Sequence, residues 1–510
     1  MKIKSTILLI LDGWGHAGSS GGNALTVANL PNYNRLLREY PHTILKASGQ
    51  AVGLPGNEVG NSEVGHMNIG AGQIVRQDIS RITDSIEDGS FYQNRVLLES
   101  LDYANRNNRK IHLIGIVSDG GIHSHVVHLY ALLKLCQIKS AKDVIIHAIT
   151  DGRDTDQYKG LEFLTQLNYV TDKLGVGKVG TVSGRIFLDR KGDFLKTEKI
   201  YRAIVEGVGE KAKSDLAAVS AAYKRGENDE YLSPTVIDDI DSKIAEGDVI
   251  IFFNFRSDRT RQLTAALLDP NFNKFKRGKQ ENIDFISFIP YGIEKELGVE
   301  AKTAFPALTI QNTLAKAISD KNLKQFHIAE TEKYAHVTYF FNGNHEDPYP
   351  GEERMIVPSP NVKSYAEKPE MSAQEVQKNL IKNMGRNTFS FIICNFANPD
   401  MVGHTGDFDA AVKAVEFLDL MLKDIVRTSL DLDHNLIITA DHGNVEQMVD
   451  PLTGHPDPEH TRNPVPLIFV SSNKELKLKT NGILGNIAET CIKSLRISDT
   501  DWFLDTLINS

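Results

Sequence analysis

Seven short apolar runs punctuate the chain, at residues 6–11, 111–117, 144–150, 249–255, 389–396, 436–440 and 465–470. Each is rich in β-branched or aromatic residues and is continuous rather than alternating. That pattern predicts strands covered on both faces, as in parallel α/β sheets. Segments of helical periodicity separate the runs. Ala411, Val415, Leu418, Leu422 and Ile425 lay one apolar stripe along a helix predicted over residues 410–426, a crossover between two strands. The glycine-rich stretch 49–72 reads as a long functional loop, with a helix start at Ser62, Glu63 and Val64.

The fold class that follows is α/β. A chain of 510 residues exceeds one ordinary domain, so two or three are expected. The apolar fraction of 41% is ample for their cores. Neither an internal repeat nor a low-complexity tract is present, and composition alone locates no domain break. A formal net charge of −9 argues against a general nucleic-acid binder, which needs a basic surface. It leaves a small anionic substrate open, because local arginines can outweigh the global sign. Cys136, Cys394 and Cys491 are far apart and form no CxxC pair, so a reducing cytoplasm is expected. Lys2 and Lys4 precede an apolar run too short for a secretory signal, and that run ends at Asp12. No apolar stretch approaches membrane-spanning length.

In open α/β sheets, ligands gather beyond the carboxyl ends of the strands. Asp12 follows the first run, Asp400 and His404 follow 389–396, and Asp441 and His442 follow 436–440. The four-residue spacing of Asp400 and His404 puts both on one face of a helical turn. A turn at Asp441 and His442 could aim them at two neighbouring ions. His460 precedes the final strand. Any one Asp after a strand is more often a cap or turn residue. Three Asp and three His at the ends of separate strands point instead to divalent metal, with mixed ligation that suits manganese or zinc. Ser62, ordinarily an N-cap at such a position, is a candidate nucleophile favoured by a helix N-terminus and a bound metal. Four further loops deliver cations: His123, Arg153 beside Asp154, Arg185 with Arg190, and Arg256 with Arg259. Together they suggest a pocket for a small anion bearing phosphate and carboxylate. Lys333 could add a cation near a transferring phosphate.

The motifs LDGWG, GNSEVGHMNIGAG, SDGGIHSH, DGRDT, NFRSDR, ETEKYAHVTYFFNG, NPDMVGHTG, ADHGN and HTRNPVP occur in order between residues 11 and 466. In these the chain resembles the 2,3-bisphosphoglycerate-independent phosphoglycerate mutases of the alkaline phosphatase superfamily. The resemblance implies a phosphatase-like metal domain from residues 1–76 and 308–510, with a phosphotransferase domain inserted at 77–307 that is able to close over it. It implies two Mn²⁺ ions, one held by Asp400, His404 and His460, the other by Asp12, Ser62, Asp441 and His442. His455 is the alternative to His460. His123, Arg153, Asp154, Arg185, Arg190, Arg256, Arg259 and Lys333 would bind phosphoglycerate. Ser62, Asp154 and Lys333 would be catalytic, through a phosphoserine and without added 2,3-bisphosphoglycerate. A cytoplasmic monomer with no nucleic-acid or membrane partner is expected. The segment GRIFLDR is shorter than its family counterpart and lacks a following Arg-Trp pair. A metal-dependent phosphatase or phosphopentomutase of the same superfamily, or an inactive metabolite-binding protein, are the competing readings.

Overall fold

The computed structural model describes residues 5–56, 58–278, 282–299, 301–451, 453–497 and 502–509. Two compact units divide the chain. One is built from Met1–Gln77 and Leu308–Ser510, the other from Asp78–Ala307.

The first unit contains an eight-stranded sheet. Its spatial order is Glu352–Val357, Gln325–Glu330, Phe391–Phe396, Thr6–Leu11, Asn435–Thr439, Val465–Val470, His42–Lys46 and Gly482–Ile483. The first five run parallel. Val465–Val470 is antiparallel to both of its neighbours, so the sheet is parallel-rich and mixed at one side. The central strands Thr6–Leu11, Phe391–Phe396 and Asn435–Thr439 are buried at every residue. This is why their sequences are continuously apolar, whereas His42–Lys46, near the edge, alternates exposed and buried positions. The crossover helix extends over Phe408–Asp431, longer than its apolar stripe suggests. Asp407 caps it by accepting from the Ala410 N–H at 2.9 Å, and Leu418, Leu422 and Ile425 lie on its buried side.

The second unit holds another eight-stranded sheet: Lys302–Thr303, Asp284–Ser287, Val249–Phe252, Ile111–Ile116, Val144–Thr150, Lys178–Gly184, Thr235–Ile237 and Glu210–Ala212. All pairs are parallel except Lys178–Gly184 with Thr235–Ile237. From Ile111–Ile116 the chain winds one way through Val144–Thr150 and later the other way through Val249–Phe252. That reversal makes a topological switch point, where a crevice opens beyond the strand ends. Cys136, Cys394 and Cys491 are buried free thiols.

Candidate active site

In the first unit, the ends of four adjacent parallel strands deliver the polar cluster: Asp12, Lys333, Asp400, and Asp441 with His442. Ser62 reaches it from the helix Ser62–Ala71, which occupies part of the stretch expected as loop. The capping role that would ordinarily explain a serine here is filled by Asn61, whose side chain accepts from the Val64 N–H at 3.0 Å. Ser62 is therefore the first helical residue, with its hydroxyl free for other partners. Glycine makes this approach possible. A Cβ at Gly65 would lie 2.6 Å from the Asp441 carbonyl oxygen, and one at Gly13, where φ is +74°, would lie 2.9 Å from Asp400 Cα.

Ser62 Oγ lies 2.7 Å from Lys333 Nζ, 3.0 Å from His442 Nε2 and 3.2 Å from Asp12 Oδ1. Lys333 Nζ also donates to Asp12 Oδ1 at 2.8 Å and Asp400 Oδ2 at 2.5 Å. Lys333, Asp12 and Asp400 are 3%, 0% and 2% exposed, so the ammonium is wholly committed to this cluster. Burial, the largest single effect, would raise the carboxyl pKa of Asp12 and Asp400. The Lys333 charge, together with hydrogen bonds from His442 to Asp12 and from His404 and His460 to Asp400, outweighs it and holds both far below the usual range. Burial likewise opposes the charge on Lys333, yet the carboxylates raise its pKa. His442 is pushed up to about 10, because Asp441, Asp12 and Asp400 overcome its burial. The cluster demands positive charge.

A second group adjoins it. His460 Nε2 lies 3.0 Å from Asp400 Oδ1 and 2.9 Å from His404 Nε2, and His404 Nε2 lies 3.3 Å from Asp400 Oδ1. His404 Nδ1 is hydrogen-bonded to the Pro458 carbonyl at 2.8 Å and His460 Nδ1 to the Gly60 carbonyl at 2.9 Å. A carbonyl only accepts, so both rings carry a proton on Nδ1 and aim Nε2 inward. Two inward Nε2 atoms at 2.9 Å need one shared proton or a cation between them. The opposed pKa shifts agree: hydrogen bonding to Asp400 raises His404, whereas burial lowers His460. His455 is exposed and meets neither group.

These donors fit divalent cations. One atom each from Asp400, His442 and His460 lies within 4.8 Å of the others, as does one each from Asp12, Asp441 and His442. Asp441 Oδ1 accepts from the Gly13 N–H at 3.3 Å, while its buried Oδ2 makes no well-aligned hydrogen bond, with His66 Nδ1 3.2 Å away. A buried carboxylate oxygen not satisfied by a well-aligned hydrogen bond suits a metal ligand. His442, expected in one set, stands between both, 3.4 Å from Asp12 Oδ1 and 3.7 Å from Asp400 Oδ1.

In the second unit, four adjacent strand ends assemble the cationic loops. Arg185, 1% exposed, is hydrogen-bonded to Asp151 and, at 2.5 Å, to Asp154 Oδ2. Asp151 also accepts from Ser118 Oγ at 2.7 Å and the Asp154 N–H at 3.0 Å, which fixes the DGRDT turn. Asp258 gathers the other loops. Arg190 donates to it at 2.7 Å, His123 Nδ1 lies 3.3 Å away and Arg256 Nε 3.7 Å away. His123 Nε2 is 3.9 Å from Asp154 Oδ2. Arg259 Nη1 donates to the Leu188 carbonyl at 3.1 Å, and Arg153 Nη1 is 3.5 Å from Glu230. Burial, with Arg185 and Arg190 nearby, lowers the Arg259 pKa to about 10. Burial also lowers His123. Cations that depress one another's charge form a site that an anion relieves.

The metalloenzyme superfamily matches residues 4–499 of the chain. Across 96% of both chains it is 46% identical to the 2,3-bisphosphoglycerate-independent phosphoglycerate mutase of Clostridium perfringens strain SM101. The enzyme of that name from Clostridioides difficile is 46% identical, with 98% of this chain and 97% of the relative covered. The chain belongs to the 2,3-bisphosphoglycerate-independent phosphoglycerate mutase family. Leishmania mexicana phosphoglycerate mutase, crystallised at low cobalt concentration, superposes with a TM-score of 0.74 at 28% identity, covering 100% of this chain and 98% of that one.

Within this mutase family fold, the structure places Lys333 in the carboxylate cluster of the first unit. Arg190, on the shortened segment, is held by Asp258. Sequence reasoning passed over Asp151 and Asp258, which lie inside the motifs DGRDT and NFRSDR but were outweighed there by the arginines. It also passed over His66 and Asn395. His66 stands in the glycine-rich motif, while Asn395 is a lone polar residue in an apolar strand, the one signal available for it.

Proposed function

We propose that the chain interconverts 3-phosphoglycerate and 2-phosphoglycerate through a phosphoserine on Ser62, without added 2,3-bisphosphoglycerate. The observation that carries this reading is the convergence of Lys333 Nζ, His442 Nε2 and Asp12 Oδ1 on Ser62 Oγ. A serine with that environment at a helix N-terminus is prepared to lose its proton.

Asp400, His404 and His460 would hold one divalent ion, and Asp12, Ser62, Asp441 and His442 the other. Such ions supply Lewis-acid stabilisation of alkoxide and phosphoryl oxygens. Lys333 donates to Ser62 Oγ and favours its deprotonated form. Ser62 Oγ forms a bond to phosphorus as the bond from phosphorus to the O3 oxygen of the glycerate breaks, and that oxygen collects a proton. The other glycerate hydroxyl then gives up its proton and attacks phosphorus, and Ser62 Oγ leaves and regains one. Asp154 is the candidate acid and base for these hydroxyls. His123, Arg153, Arg185, Arg190, Arg256 and Arg259 bind the phosphate and carboxylate of the substrate. Manganese as the native ion, a monomeric state and the cytoplasm complete the proposal. The buried free thiols support that compartment, and among the described residues no helix is long and apolar enough to cross a membrane.

A coupled assay for 2-phosphoglycerate tests the reading. Activity should vanish on chelation and return with Mn²⁺ alone, with no bisphosphoglycerate present. Release of inorganic phosphate as the main product would instead make the chain a phosphatase.

A further inference from the structure

We propose that Asn395 is a positioning residue that, through His66, holds Asp12 and Ser62 in the mutual geometry a divalent cation requires. Asn395 lies in the strand Phe391–Phe396 opposite Ile10 of the first strand, two residues before Asp12. It is fully buried. Its Nδ2 donates to Asp12 Oδ2 at 2.7 Å and lies 3.0 Å from His66 Nε2. His66, also fully buried, places Nδ1 2.9 Å from the Ser62 carbonyl oxygen and 3.2 Å from Asp441 Oδ2.

These contacts leave one consistent assignment. The amide presents its NH₂ group, not its oxygen, to Asp12 Oδ2. One amide hydrogen goes to Asp12, and the other points at His66 Nε2, which must then be the acceptor. The imidazole proton therefore sits on Nδ1 and is donated to the Ser62 carbonyl, facing Asp441. A single amide thus sets the orientation of one proposed ligand and, through a fixed tautomer, the start of the helix that carries the nucleophile.

The same arrangement has a cost. Asn395 Oδ1 is buried with no hydrogen-bond partner, an arrangement that destabilises a fold. An asparagine retained only for packing would be expected to satisfy both ends of its amide. Here both hydrogens serve the cluster and the oxygen is left over. Asn395 Nδ2 also binds Asp12 through Oδ2, leaving Oδ1 to face Ser62, Lys333 and His442.

The proposal rests on the two-ion reading above, and one experiment separates them. Mn²⁺ is titrated into the chelated full-length protein, and the free ion is followed by electron paramagnetic resonance. Wild type binding fewer than two ions overturns the two-ion reading and this proposal with it. Given two ions in wild type, Asn395→Leu is expected to weaken one site about 10–100-fold, the range for partners that orient a metal ligand. The other site, built on Asp400, His404 and His460, should keep its affinity, and kcat should fall with KM unchanged. Wild-type affinity at both sites, or equal weakening of both, overturns the proposal. Should Asn395→Leu fail to fold by circular dichroism, His66→Leu and His66→Asn decide. The asparagine keeps a donor near the Nδ1 position, so both variants should weaken the same site, the leucine more. Wild-type binding in both overturns the proposal.

Discussion

Replacing Lys333 by methionine tests whether the cluster is organised around positive charge. The ammonium stands 2.8 Å from Asp12 and 2.5 Å from Asp400, all three almost wholly buried. Methionine fills much of the same volume, so little of the effect is a cavity. What remains is a pair of buried carboxylates without a cation. Removing one partner of a buried ion pair costs about 3–5 kcal/mol. The loss has a ceiling, because one carboxyl can escape by taking up a proton. For a group of ordinary pKa near 4, at pH 7, that costs about 3 units × 1.4, or about 4 kcal/mol. The two routes agree, and for a unit of this size about 3–5 kcal/mol corresponds to a fall in Tm of about 6–10 °C. Thermal unfolding in chelator reads it directly. Saturating Mn²⁺ should shrink the difference to less than half, since bound cations replace the missing charge. An unchanged Tm in chelator, or an equal fall with and without Mn²⁺, would refute the charge argument.

Ser62→Ala should lower turnover at least 10⁴-fold while retaining one or both Mn²⁺ ions, measured by coupled assay and metal titration. Asp258→Asn loosens the contacts that order Arg190, His123 and Arg256, and should raise KM for phosphoglycerate about 10–100-fold with a smaller change in kcat. Burial raises the Glu330 carboxyl from 4.5 to about 7, and its Oε2 has no hydrogen-bond partner. Folded Glu330 thus keeps its proton after the unfolded chain has lost it, so stability falls as pH rises from about 4.5 to about 7 and then levels off. Glu330→Gln should match wild type near pH 4 and exceed it at pH 8 by up to about 3 kcal/mol in denaturant unfolding, and parallel stability curves would contradict this.

Much of this architecture was legible along the chain because strands buried on both faces must be apolar throughout, and because chemistry in such sheets collects just past the strand ends. Asp12, Asp400 and His442 could be picked out on that rule, as could the arginines following residues 144–150 and 249–255. Tertiary structure decided what each partner is. Val465–Val470 runs antiparallel, a direction its apolar sequence does not encode. Lys333, an ambiguous cation in sequence, is committed to Asp12 and Asp400 by the strand order, which sets Gln325–Glu330, Phe391–Phe396 and Thr6–Leu11 side by side. A serine at a helix start is ordinarily its cap, and only the folded structure gives that role to Asn61 and leaves Ser62 Oγ to the cluster. Asp151, Asp258, His66 and Asn395 act by compensating or orienting other groups, and that work depends on distances between segments tens to hundreds of residues apart. Periodicity fixes which face a side chain occupies; only the assembled sheet fixes what it meets there.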